Sequence, residues 1–374
     1  MKKILLATTA VVALTTVSAE AFAAEKIKLS LGGFMRQYVA LTNHDEVAAT
    51  ADTSTLRGVN LGLQSNSEVY FRGSTKLDNG LSVAVDIQLE SSTRVGQGAT
   101  ARKFDVVSME VSSDAIGAVT LGSTTHAADD FLTRAPLPVG SYDWGDTDGL
   151  ALTASAAGTS SAAYGSAAGD ITDTGSKGLK LKYVSPNFSG VNVYASYTAN
   201  DQDGQITGAS SNAADAYTYG IAFGGEVGGA SVAADVTHMN FGGNTENNHV
   251  GLSVGMAGFT VAGGYTDFNE QRSTALVLAS TDGSQDGSAW ELGVGYETGP
   301  YSIAAAYMTA KRNNTAALTA DNKDKKWQIG ATYDLGAGVA LSGVYWNSKA
   351  TTESAITTDD FEVSGFIAGI EVGF

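Results

Sequence analysis

Cysteine is absent from all 374 residues, which excludes a disulfide framework, a thiolate metal site and a thiol nucleophile. Proline occurs only four times, too rarely for a proline-rich disordered chain and well suited to strands whose ladders it would interrupt. Basic residues number 22 against 39 acidic ones, and a formal charge of −17 argues against nucleic acid as a partner. That charge fits a solvated acidic surface and, equally, a surface that attracts cations. Long apolar runs are missing too. Beyond the N-terminal leader no stretch approaches the roughly 18 consecutive apolar residues of a membrane helix, so any membrane crossing has to be made by strands.

The leader has the parts of an export signal. Lys2 and Lys3 precede an apolar run from Ile4 to Val17, and Ala21-Phe22-Ala23 places small residues where a signal peptidase reads them. Residues 1–23 are therefore expected to be a signal peptide, in preference to a buried helix opening a cytosolic domain. Residues 24–374 would then fold beyond the inner membrane.

What this chain does have is glycine, 45 residues of it, and alternation. From Phe361 to the terminal Phe374, the residues Phe366, Ala368, Ile370, Val372 and Phe374 share one face, while Gly365, Gly369, Glu371 and Gly373 share the other. A period of two is a strand. In lipid an open sheet edge costs several kcal/mol per unpaired polar group, so this strand is expected to close a sheet against the first strand of the mature chain.

The same alternation recurs without a linker or a change of composition. The first strand is read at about Lys26 to Tyr38, followed by a polar loop from about Leu41 to Arg57. Val69, Phe71, Thr75 and Leu77 alternate with Glu68, Tyr70, Arg72, Ser74 and Lys76. Asp78-Asn79-Gly80 then turns the chain, and Leu81, Val83, Val85, Ile87 and Leu89 alternate with Ser82, Ala84, Asp86, Gln88 and Glu90. Asn-Gly predicts a type I′ hairpin, in which both central residues take positive φ. Six further hairpins follow, centred near Ser112–Gly117, Ser185–Gly190, Gly224–Gly229, Met256–Gly258, Thr298–Pro300 and Leu335–Gly338. With the first and last strands the count is about sixteen, an even number as bacterial single-chain barrels require.

Facing chemistry separates a membrane barrel from a soluble sandwich. The face opposite the apolar one is often Gly, Ser, Ala or Thr with scattered charges, and aromatic residues gather near strand ends. Tyr197, Tyr217, Tyr265, Trp290, Tyr307, Trp327 and Tyr345 are assigned to the long-loop ends; Phe223, Tyr296, Tyr301 and Tyr333 to the short-turn ends. Two aromatic bands suit a lipid-facing surface with two headgroup levels. The small inward residues predict a wet lumen.

These residues carry a family resemblance over nearly the whole mature chain. Gly73 to Glu90 (GSTKLDNGLSVAVDIQLE) and Tyr183 to Tyr197 (YVSPNFSGVNVYASY), with the C-terminal phenylalanine, resemble the Gram-negative general diffusion porins. The resemblance implies an all-β transmembrane antiparallel barrel of about 16 strands in the bacterial outer membrane. It also implies a homotrimer in contact with outer-membrane lipids and lipopolysaccharide, passing ions and small hydrophilic solutes. Phe374 would be the signal shown to the barrel-assembly machinery. The long third loop, residues 122–177, would fold into the lumen as a constriction. Ser123 departs from the family, which commonly places an arginine there.

Within that frame Asp143, Asp146 and Asp148 of the third loop are expected to face Arg36 and Arg72. Asp86 and Glu90 would add negative wall charge, making the channel cation-preferring. No enzyme site emerges. His44, His126, His238 and His249 lack metal-ligand spacing and are read as solvated surface histidines, and no serine sits in a nucleophile motif. No cofactor is expected. Asp146 and Asp148 before Gly149, and Asp201 and Asp203 before Gly204, match part of a calcium loop but lack its bidentate Glu, so calcium stays open beside solvated turn aspartates. The alternative to a diffusion channel is a plugged surface barrel with a structural or adhesive role.

Overall fold

A computed structural model describes residues 26–44, 60–90, 104–138, 178–198, 216–240, 246–269, 287–312, 322–353 and 358–374. The leader, Asp143, Asp146, Asp148 and both partial calcium motifs lie outside the described residues.

Sixteen strands form one closed antiparallel barrel. They are β1 (Ser30–His44), β2 (Asn60–Lys76), β3 (Ser82–Glu90), β4 (Val106–Ser113), β5 (Gly117–Ser123), β6 (Leu179–Val184), β7 (Val191–Thr198) and β8 (Ala216–Val227). Then come β9 (Ala230–Asn240), β10 (Glu246–Met256), β11 (Phe259–Asn269), β12 (Gly287–Thr298), β13 (Tyr301–Arg312), β14 (Asn322–Gly336), β15 (Val339–Glu353) and β16 (Thr358–Gly373). Each strand pairs with its sequence neighbours. The expected closure is present: β1 pairs with β16 from Phe34↔Gly373 to His44↔Val363. Phe374 adds the last two bonds, its carbonyl accepting from Gly33 N at 2.9 Å and its N–H donating to Gly33 O at 3.1 Å.

Exposure alternates as the sequence pattern requires. Leu63, Leu252 and Leu292 stand on the outer face, while their inward neighbours, such as Gly251 and Glu291, are buried. The outer aromatics form two bands. Trp290–Tyr307 and Trp327–Tyr345, with ring centroids 5.3 and 5.4 Å apart, lie toward the long-loop rim. Phe259–Tyr296 and Tyr301–Tyr333, at 4.4 and 4.9 Å, lie toward the short-turn rim.

Three local expectations are corrected. β1 runs on to His44, inside the stretch read as loop, and β2 begins at Asn60, in an unassigned stretch where Ser65 and Ser67 interrupt the apolar outer face and hide the strand. At Asn79-Gly80 only the glycine has positive φ, +84°. Gly80 N donates to Leu77 O while Leu77 N donates to Leu81 O, so Asp78 and Asn79 make a type I turn that Gly80 closes in the left-handed region. Asn79 stays out of it because its side-chain oxygen accepts from Leu81 N at 3.1 Å. The two-residue I′ geometry occurs instead at Ala257-Gly258 and Ala337-Gly338, where both residues have positive φ. In the Ser185–Gly190 hairpin, side chains replace ladder bonds: Ser185 Oγ accepts from Val193 N, and Asn187 Oδ1 accepts from Gly190 N.

Candidate functional site

Past Ser123 the chain does not leave the barrel rim but turns inward, and residues 124–138 lie against the inner face from β6 to β14. Lys180 holds the root, its Nζ donating to Thr124 O at 2.6 Å and Gly178 O at 3.1 Å, and Lys182 pairs with Asp130. A single 3-10 turn, Ala127–Asp130, follows. Ala127 N donates to Ser196 Oγ on β7, and the Phe131 ring stacks on Tyr194 at 4.5 Å. Two buried carboxylates then take backbone N–H groups: Asp235 on β9 accepts from Thr133 N at 2.7 Å, and Glu291 on β12 accepts from Ala135 N at 2.8 Å. Arg134 sits 3.5 Å from the same Glu291 oxygen. Each carboxylate supplies the partner that a loop N–H taken out of water would otherwise lose.

The wall under this segment is stripped of side chains. A Cβ on Gly251 would lie 2.3 Å from Thr133 O, one on Gly293 3.0 Å from the Pro136 ring, and one on Gly330 2.9 Å from Pro138. The inward glycines that the sequence reading takes as signs of a wet lumen are, on β10 to β14, a bed for the loop. Ala135 packs with Ala289, Ala306, Met308 and Ala310 into a small dry cluster there.

Among the described residues no part of the loop lies on the opposite arc, from β16 through β1 to β4, and the predicted wall residues stand there, partly exposed. Arg36 donates to Glu371 through Nε (2.8 Å) and Nη2 (3.3 Å), with its guanidinium 3.9 Å from the centroid of the Phe34 ring. Arg72 donates through Nε to Asp86 Oδ1 at 2.9 Å and lies 4.2 Å from the Tyr70 ring centroid. Gln88 donates to the other Asp86 oxygen at 2.8 Å. Glu90 is paired in register with Glu68, on the same inward face. Arg72 and Asp86 are thus brought together, while Arg36 meets Glu371, a residue the charge reading did not include.

Lys180 and Lys182, inward-facing bases on β6, hold the loop. The histidine reading is also corrected. His249 is 2% exposed on the inner face of β10, its Nδ1 2.9 Å from Asp235 Oδ2, because the loop covers it. His126 stands at the N-terminal end of the 3-10 turn, its Nε2 3.2 Å from Asp129 Oδ1 and its side chain only 12% exposed. Asp235 and Glu291 escaped notice because the sequence shows each only as one polar residue on an alternating strand; their partners are 102 and 156 residues away. Among the described residues no group of three or more His, Asp or Glu could hold a metal ion.

Residues 7–352 match the family described as Gram-negative porin. No curated protein matches. Among solved structures, the outer membrane channel DcaP of Acinetobacter baumannii is similar with a TM-score of 0.61 at 14% identity, over 94% of this chain and 98% of that one. The anion-selective porin from Comamonas acidovorans has a TM-score of 0.58 at 18% identity, over 93% of this chain and 100% of that one. OmpT of Vibrio cholerae in its trimer form has a TM-score of 0.56 at 12% identity, over 94% and 100%. The closed sixteen-stranded barrel and a family match over nearly its whole length agree: this chain belongs to the Gram-negative porins of the bacterial outer membrane.

Proposed function

We propose that the protein is a passive, cation-preferring channel for ions and small hydrophilic solutes, with the third loop as its constriction. The observation that carries this reading is the charge of the uncovered arc. Glu68, Asp86, Glu90, Glu110 and Glu371 share the inward face of β16 and β2 to β4 with Arg36 and Arg72, while Lys76 sits at the turn end of β2. Five carboxylates to two guanidiniums leave an excess negative field that enriches small cations. The fold alone does not set the sign, since an anion-selective porin shares it. Reconstituted protein in a planar bilayer with a KCl gradient tests both parts: ohmic channels with a reversal potential on the potassium side are expected. A preference for chloride would overturn the selectivity, and an absence of conductance would overturn the channel.

The homotrimer is proposed on two grounds. A trimer form of Vibrio cholerae OmpT shares the fold. In addition, the outer face of β1 to β5 carries no Tyr or Trp and exposes a polar pair, Gln37 donating to Ser65 Oγ at 2.6 Å, where the rest of the wall has aromatic bands. Such a face suits contact with another copy better than contact with lipid. A detergent-stable band at three times the monomer mass is the expected readout, and a band at the monomer mass would contradict it.

A further inference from the structure

The strip where β16, β1, β2 and β3 meet has an arrangement that a simple charged wall does not need. Both guanidiniums lie over an aromatic ring and each has an edge on a carboxylate, so their positions are fixed before any solute arrives. Among the described residues, the bond to Asp86 engages only Nε of Arg72. The side chains remain partly open to the lumen, 16% and 28% for the arginines and 34% and 31% for Glu371 and Asp86. The Tyr70 hydroxyl bonds Glu68, which stands opposite Phe34 and therefore diagonal to Arg36. The Phe34 and Tyr70 rings, 6.1 Å apart, form an apolar patch between the two ion pairs.

We propose that this strip binds zwitterionic solutes with an apolar body, of the α-amino acid class, as they cross the channel. The proposal rests on the channel reading and adds to it a solute class. A lone anion on the strip meets three carboxylates, Glu68, Asp86 and Glu371. A lone cation meets two guanidiniums that cannot be deprotonated. A solute bearing both charges on one carbon satisfies both signs at once: Arg36 and Glu68 are diagonal neighbours on adjacent strands, so a guanidinium and a carboxylate face the same patch of lumen. Its apolar body then covers the Phe34 and Tyr70 edges, which neither ion pair occupies.

The test uses the full-length channel in a planar bilayer and three probes with the same ring: L-phenylalanine, phenethylamine and 3-phenylpropanoate. L-Phenylalanine is expected to interrupt the potassium current at about tenfold lower concentration than either singly charged analogue. The double change Arg36→Gln with Glu371→Gln, which removes both charges of one pair, should weaken the phenylalanine block about fivefold, measured against that variant's own open-channel current. Equal or stronger block by phenethylamine would overturn the proposal, as would an undiminished block in the double variant or no block of an open channel by any probe. Should the double variant fail to assemble, the three-probe comparison on the unaltered channel decides. A protein that conducts nothing without solute defeats the channel reading itself, a distinct result.

Discussion

Asp235 and Glu291 hold the loop mainly by its backbone N–H groups, with Arg134 also beside Glu291, so the hold depends on their charge. A hydrogen bond to a charged group contributes about 1.5–3 kcal/mol, and an amide in its place accepts a weaker bond with no charge assistance. The double change Asp235→Asn with Glu291→Gln is therefore expected to release residues 133–135 from the wall. Single-channel conductance should change and the open current should become noisier, while the barrel stays heat-modifiable. An unaltered conductance would show that the lysine root and the prolines hold the loop by themselves. Facing is also tested one residue at a time. Leu252 stands on the outer face of β10 and Ser253 on the inner face. Leu252→Arg should destabilise the folded barrel by about 2–4 kcal/mol in a lipid unfolding titration, and Ser253→Arg should be tolerated and alter conductance instead. The reverse outcome would mean a one-residue slip, which exchanges the two faces of a strand.

At the scale of elements, what the sequence made legible followed from local rules. Alternation located the strands and turn residues located the hairpins, because each depends on residues a few positions apart. β16 was readable to within three residues and its partner β1 was inferred from the absence of any other way to satisfy its edge. The start of β2 was not readable, because Ser65 and Ser67 break the apolar face that betrays a strand. Nor was the use of the inward glycines, since whether a small residue faces water or the loop depends on a segment more than a hundred residues earlier in the chain. That use has a consequence for Gly293, whose missing side chain lets Pro136 approach. Gly293→Val should leave the outer face of β12 intact and displace the loop, changing conductance without loss of folded protein. A normal conductance would mean the Pro136 contact is dispensable. The C-terminus is tested by removing Phe374, which costs the two backbone bonds to Gly33 and the ring packed against that glycine. Export should persist and the yield of heat-modifiable barrel should fall; an unchanged yield would reduce Phe374 to an ordinary interfacial aromatic.

For the whole molecule, closure and charge act together. A closed barrel has no edges to satisfy, so its inner face is released from packing and can be given over to a loop on one arc and to charged groups on the other. The chain carries a formal charge of −17, and the described inner arc has the same sign of excess. If that arc governs permeation, selectivity is a screened electrostatic effect. The Debye length falls from about 10 Å at 0.1 M to about 3 Å at 1 M. The potassium-to-chloride permeability ratio should therefore decline toward that of free diffusion as salt rises over this range. Asp143, Asp146 and Asp148 provide the second arm of the test. Placed on the third loop opposite Arg36 and Arg72, they would add three carboxylates to the waist, and their joint replacement by Asn should move the reversal potential markedly toward chloride at 0.1 M and little at 1 M. A salt-independent ratio would mean that pore width, not charge, selects. A ratio that falls with salt while the triple variant matches the unaltered channel would place the selecting field on the barrel wall alone, with Glu68, Asp86, Glu90, Glu110 and Glu371 as its source.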